Sequence, residues 1–103
     1  MIMLPKIMKS RPPKQLDKAD VLAWAWSDGT PFGHLLDTEG KVVCAVHGIA
    51  VCRYPGSEEL YRFTCDENWT VEQDAPYETV EQAMMSAEQL YSLTRNQWIS
   101  RDL

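Results

Sequence analysis

The part of the chain that decides the fold is residues 60–91, which read LYRFTCDENWTVEQDAPYETVEQAMMSAEQLY. The first six residues alternate in character, as expected of a strand with one buried face. Tyr61 and Phe63 are therefore predicted to face the core, and Arg62 to face water. A turn over residues 66–68 and a short strand over residues 69–73 follow. The first half of the stretch thus predicts a β-hairpin.

The second half predicts one amphipathic helix over about residues 79–94. Thr79 and Gln82 fit a capping box, in which a hydroxyl oxygen and a side-chain carbonyl satisfy backbone N–H groups at the helix start. The apolar residues at helical spacing form one stripe, which consists of Val80, Ala83, Met84, Ala87, Leu90 and Tyr91. We expect this stripe to pack on a sheet, while Glu81 and Glu88 face water.

Further strand-like segments precede residue 60. They are rich in β-branched and aromatic residues, are separated by turn-forming pairs that contain glycine, and comprise residues 21–26, 31–37, 41–46 and 49–54. Short strands at regular spacing are typical of an antiparallel meander. The sequence therefore predicts an α+β fold: a meander of about five or six strands over residues 21–73, with one C-terminal helix packed on it.

Charge and composition divide the chain of 103 residues into two parts. Residues 1–19 contain three prolines and have a net charge of +4, which predicts a basic N-terminal arm without a helix. This arm is either a poorly ordered terminus or an extended segment that docks on the body or on a partner. Residues 20–103 have a net charge of −9 and are predicted to form a single α+β domain.

An acidic stretch lies between the predicted hairpin and the predicted helix. It contains no Lys or Arg and has six carboxylates, which are Asp66, Glu67, Glu72, Asp74, Glu78 and Glu81. Carboxylates repel the phosphates of nucleic acid and attract the basic side chains of a protein. This stretch therefore disfavours nucleic acid and favours a basic protein partner. Trp69 is a candidate aromatic anchor in the same stretch. The alternative is a solvated face with no partner.

The cysteines and histidines suggest a different class of site. Cys44, His47, Cys52 and Cys65 contain one Cys-x2-His spacing, which would suit a small metal-binding or thiol-dependent module. No second paired motif completes a zinc site, and no nucleophile or oxyanion motif supports catalysis, so neither an enzyme nor a cofactor is expected. An odd number of cysteines and the absence of any apolar run of about 20 residues favour a cytoplasmic location away from the membrane.

A short segment resembles a known family. Residues 77–90, YETVEQAMMSAEQL, are similar to the strand and helix start of HicB-type antitoxins. The turn before that helix, which contains glycine in the antitoxins, is Asp74-Ala-Pro76 here, and no separate DNA-binding region follows. A small acidic α+β body also resembles bacterial immunity proteins that block toxins. The resemblance implies a non-enzymatic inhibitor of a basic toxin. A structural subunit of a larger assembly is a further alternative.

Overall fold

The computed structural model describes residues 11–101 and shows a strand-rich α+β fold with one α-helix. The strands are β1 (Gln15–Leu16), β2 (Ala19–Trp26), β3 (Gly33–Leu36), β4 (Val42–Val46), β5 (Gly48–Arg53), β6 (Leu60–Cys65), β7 (Val71–Tyr77) and β8 (Ile99–Ser100). The helix α1 spans Val80–Tyr91, and a 3₁₀ turn spans Arg95–Gln97. The predicted antiparallel sheet and C-terminal helix are confirmed.

The order of the strands differs from a simple meander. The main sheet has the order β1-β2-β5-β6-β7, and β8 also pairs with β2. Strands β3 and β4 pair only with each other among the described strands, as a hairpin outside the main sheet. The chain returns through His47, which separates β4 from β5 and whose backbone bonds both Ser27 and Cys65. Local patterns locate β2 to β6, and the strand predicted over residues 69–73 overlaps β7, which runs to Tyr77. They do not reveal that the second and third predicted strands leave the sheet together.

The sheet curls around an inner core. The turn between β1 and β2 approaches β7 closely enough that Asp17 and residues 71–74 line the same groove. Curling buries residues that no helix covers, and the largest fully buried ones are Trp24, Phe63 and Val21; Cys52 and Cys65 lie in the same core. The core also includes Trp69, whose ring lies against Gly48. A Cβ at position 48 would lie 2.6 Å from that ring, so only glycine fits there.

The outer face of the sheet packs on α1. Ala83, Met84 and Ala87 are buried in one core with side chains of β2, β4 and β5, and Val80 and Tyr91 pack at the margin of the same core. Leu90 departs from the predicted stripe: it lies in the last turn of the helix and is 62% exposed. The helix start is confirmed, since Thr79 Oγ1 accepts from the Gln82 amide at 3.0 Å. The Gln82 side chain accepts from the Glu78 amide instead of completing the box.

Arg62 corrects the prediction that it faces water. It lies under α1 and is 4% exposed, because both faces of β6 are covered. Its guanidinium donates to the Tyr77 hydroxyl at 3.1 Å, to Ser86 Oγ at 3.0 Å and more weakly to Gln73 Oε1 at 3.4 Å. Alternation marks which side chains share a face, but it does not show whether that face is solvated.

The described part of the predicted N-terminal arm joins the sheet. Residues 1–10 lie outside the described part of the chain, and β1 uses Gln15 and Leu16 to pair with the start of β2. The Val21 amide donates to the Lys14 carbonyl, and Arg101 donates to the Pro13 carbonyl at 3.3 Å. Both ends of the described chain therefore meet along β2.

Candidate protein-binding edge

The turn before β7 is built by one of the predicted acidic residues. Asp66 Oδ1 accepts from the amides of Asn68 and Thr70 at 2.8 and 2.9 Å, and the Asp66 amide donates to the Thr70 carbonyl. The side chain of Asp66 therefore holds the turn closed. Trp69 adopts a left-handed conformation with φ of 61° and is only 4% exposed. Asp66 and Trp69 thus position the acidic stretch, whereas Glu67 lies exposed at the tip of the turn.

Strand β7 forms a free edge of the main sheet. Among residues 11–101, β6 is the only strand that pairs with it. A bulge opposite Thr64 and Cys65 leaves Glu72 without an opposite residue, and Asp74 lies opposite Phe63. Glu72, Gln73 and Asp74 are all exposed. Because no described strand pairs with the outer side of β7, the backbone groups on that side are candidates for pairing with another chain.

Two concave surfaces lie at the two ends of β7. The first is a groove of about 200 Å³ lined by Asp17, Val71, Glu72, Gln73 and Asp74. The second is an open pocket of about 540 Å³ lined by Glu58, Glu59, Pro76, Tyr77 and Glu78. None of the described residues that line these two surfaces is basic. Together with the tip of the turn at Glu67, these surfaces form what we call the acidic edge.

Sequence reasoning missed two members of the acidic edge, Glu58 and Glu59. They precede β6, and Leu60 is the partner of Tyr77 in the antiparallel ladder. Residues just before Leu60 must therefore lie beside residues just after Tyr77, which places both carboxylates next to Glu78. The register of the hairpin was the signal that would have revealed them.

Glu81 is not part of the acidic edge: it lies on α1, and its carboxylate is already paired with Arg95 of the 3₁₀ turn. Its carboxylate accepts from Arg95 at 2.8 and 2.9 Å, and the hydrogen bonds to Arg95 lower the pKa of Glu81. Arg95 also donates to Glu88, whose pKa is likewise lowered by that hydrogen bond and by the Trp98 indole N–H at 3.0 Å. Glu88 was predicted to face water, but these partners leave its side chain only 18% exposed.

The sulfur and histidine side chains lie on different elements. Cys52 and Cys65 are fully buried in the inner core, and burial raises the pKa of Cys52 to about 12. Cys44 is half-buried on β4; burial raises its pKa, and the nearby charges of Glu72, Asp66 and Glu67 raise it further. His47 Nδ1 lies 3.1 Å from the Ser27 carbonyl. No three His, Cys, Asp or Glu side chains within residues 11–101 are grouped so as to hold a metal ion.

Comparisons of the sequence with models of protein families, with curated proteins and with solved structures find no match. The resemblance to immunity proteins and antitoxins therefore stays a prediction. Within the described residues, no helix combines the length and the apolar character needed to cross a membrane.

Proposed function

We propose that this protein is a small non-enzymatic cytoplasmic protein that binds and inhibits a basic partner protein, in the manner of immunity proteins and antitoxins. The observation that carries the proposal is the acidic edge: exposed carboxylates lie along a strand whose outer side pairs with no described strand, and none of the described residues lining the two concave surfaces is basic. Charges of one sign on a concave surface raise the local concentration of an oppositely charged partner.

Folding holds this acidic edge in place. Glu72 and Asp74 are on a hydrogen-bonded strand, and Glu78 adjoins a capped helix. A fixed array of charges loses little conformational entropy when a partner binds. Its affinity should therefore be higher than that of a flexible acidic tail with the same charges. The edge would pair with the Lys and Arg side chains that a toxin uses to hold nucleic acid, so inhibition would be by occlusion.

Two matched double variants test the proposal. In the first, Glu72→Lys and Asp74→Lys reverse two charges on the acidic edge. In the second, Asp28→Lys and Glu39→Lys change the net charge equally at exposed positions elsewhere. The full chain is used to isolate a partner from its native host, and each protein is then titrated with the purified partner at two salt concentrations.

The edge variant should bind at least about tenfold more weakly than the control variant, because it loses two attractive pairs and gains repulsion. Raising the salt concentration should slow association of the unsubstituted chain, since screening shortens the reach of exposed charges to about 8–10 Å. Equal affinities of the two variants would show that the acidic edge is only a solvated surface.

A second candidate function is supported by the β3–β4 hairpin. Leu36, Val42 and Val43 on this hairpin are each more than half exposed. Exposed apolar side chains that lie together mark contact surfaces, which suits a structural subunit of a larger assembly. Replacing all three residues with Thr should abolish co-purification with such an assembly, whereas the acidic edge variant should not.

A further inference from the structure

We infer that the acidic edge takes its partner as an added β-strand: an extended segment with Lys or Arg at alternate positions pairs with β7. This inference rests on the proposed function and specifies how the basic partner is held. It follows from the backbone of β7 as well as from its charges, because an unpaired sheet edge presents a row of N–H and C=O groups to any extended chain.

The dimensions of the acidic edge fit such a segment. Strand β7 has seven residues, and the groove and the pocket together involve every one of them except Ala75. Seven residues of extended chain span about 20 Å. A partner segment of similar length would therefore pass from the groove beside Asp17 to the pocket beside Glu78.

The positions of the carboxylates select a segment with alternate basic residues. Asp74 lies on the same side of β7 as Phe63, while Gln73 and Ala75 lie on the opposite side with Thr64 and Arg62. Side chains of an added strand alternate between the same two sides. Basic side chains spaced two residues apart would all meet the side of Asp74 and Asp17, and one at the end of the segment would reach the pocket at Glu78.

Charge also disfavours a second copy of this chain as the occupant. If two β7 strands paired, the carboxylates of Glu72 and Asp74 would face those of the other copy, and like charges across a ladder destabilise pairing. Pro76 adds a further obstacle, because it offers no N–H to a neighbouring strand. A basic segment also finds no N–H at Pro76, but its charges are attracted to the carboxylates and not repelled by them.

The test uses the full chain and an acetylated, amidated heptapeptide, Lys-Thr-Lys-Val-Lys-Thr-Lys. Two further peptides carry backbone N-methyl groups, one on its Lys residues and the other on its Thr and Val residues. A strand directs only alternate N–H groups to a given neighbour. Strand addition therefore tolerates methylation in one of these peptides and not in the other, although both keep all four charges.

Binding is measured by NMR titration of the labelled protein. One methylated peptide should bind within about threefold of the parent, and the other at least about tenfold more weakly, because the second loses several backbone hydrogen bonds to β7. The largest shifts of amide signals should occur at β7. Parent binding should weaken in the Glu72→Lys, Asp74→Lys variant and persist in the Asp28→Lys, Glu39→Lys variant.

Three results would overturn strand addition. Equal binding of both methylated peptides would mean that charge alone holds the segment. Shifts centred on the β3–β4 hairpin would place the binding surface elsewhere, and no binding of the parent peptide would exclude this mode. In each of these cases, the titration with the purified partner tests the proposed function independently. A failure of strand addition can therefore be told apart from a failure of the proposed function.

Discussion

The two edges of the main sheet are finished in different ways. At the β2 edge, β1 pairs with Ala19 and Asp20 while β8 pairs with Ala23 and Trp24. At the β7 edge, no described strand is added, and the exposed side chains of β7 include the carboxylates of Glu72 and Asp74. One edge is closed by the chain's own segments, whereas the other is left open and charged.

This difference predicts that the stability of the fold depends on the β2 edge. The Arg101 amide donates to the Leu22 carbonyl at 2.8 Å, and the guanidinium carbons of Arg11 and Arg101 each lie 5.3 Å from the centre of the Trp24 ring. Substitutions at the β2 edge should therefore destabilise the fold. Substitutions of exposed residues at the β7 edge should instead change what the protein associates with.

The largest effect is expected from Trp24→Ala at the closed edge. Trp24 is fully buried in the inner core, and its replacement should lower the free energy of unfolding by about 3–5 kcal/mol through lost packing. Chemical denaturation measures this change. The neighbouring Ile99→Ala variant serves as a control, since Ile99 is half exposed and should cost below about 1 kcal/mol. Similar costs for both variants would show that β8 contributes as much as the core beneath it.

A smaller effect is expected from Glu88→Gln, which acts on the segment leading to β8. Glu88 joins α1 to Arg95 and Trp98, and this variant should cost about 1–2 kcal/mol at pH 7, as expected for hydrogen bonds to a charged group. Because the pKa of Glu88 is lowered by folding, its contribution is complete above the unfolded-state pKa and is lost as the pH falls through the folded-state pKa.

The difference in unfolding free energy between the unsubstituted chain and Glu88→Gln should therefore shrink between about pH 5 and pH 3. Denaturation curves at several pH values measure it. Glu39→Gln, at an exposed position whose side chain has no hydrogen-bond partner among the described residues, should follow the unsubstituted chain throughout. A difference that stayed constant with pH would show that the carboxylate charge of Glu88 contributes nothing.

The next effect is expected where β7 passes into α1. Thr79→Ala removes the oxygen that accepts from the Gln82 amide and should cost about 1 kcal/mol. Thr79→Ser keeps that oxygen and should recover most of the loss. Thermal unfolding of the two variants gives the comparison. If serine were no better than alanine, the cap would not be what stabilises the helix start.

The sequence predicted those features that depend on neighbouring residues. The cap at Thr79 and the turn before Lys41, which Asp37 Oδ1 closes by accepting from two amides, both follow from side chains that bond nearby backbone. The positions of most strands also follow from local alternation. The acidic stretch was recognised from composition alone, and most of it lies along one edge of the sheet.

The remaining features depend on contacts between distant residues. The departure of the β3–β4 hairpin from the main sheet depends on packing at the base of the hairpin, where Gly33 lies against the Tyr91 ring. The burial of Arg62 depends on a helix that begins 18 residues later in the sequence. The two carboxylates before β6 joined the acidic edge only through the register of the ladder. No periodicity within a short window contains this information.

The open edge provides the last prediction, which concerns association rather than stability. An exposed strand edge invites pairing with another copy, and charged side chains are one means of preventing it. If Glu72 and Asp74 serve this purpose, then Glu72→Thr combined with Asp74→Thr should leave the free energy of unfolding within about 0.5 kcal/mol of the unsubstituted chain. Threonine suits a strand, so the sheet itself should be retained.

The same double variant should nevertheless associate as its concentration rises, because two repulsive charges no longer separate the β7 strands of different copies. Analytical ultracentrifugation measures the average mass against that of the unsubstituted chain. Asp28→Thr combined with Glu39→Thr removes as many charges at exposed positions away from β7 and should leave the mass unchanged. Equal association of both variants would mean that total charge, and not its position on the open edge, keeps the copies apart.

If neither variant associated, the bulge at Glu72 and Pro76 would be sufficient protection, since both disturb the regular ladder that a second strand needs. The carboxylates of the open edge would then have no role in keeping copies apart, and binding of a basic partner would remain their only proposed role.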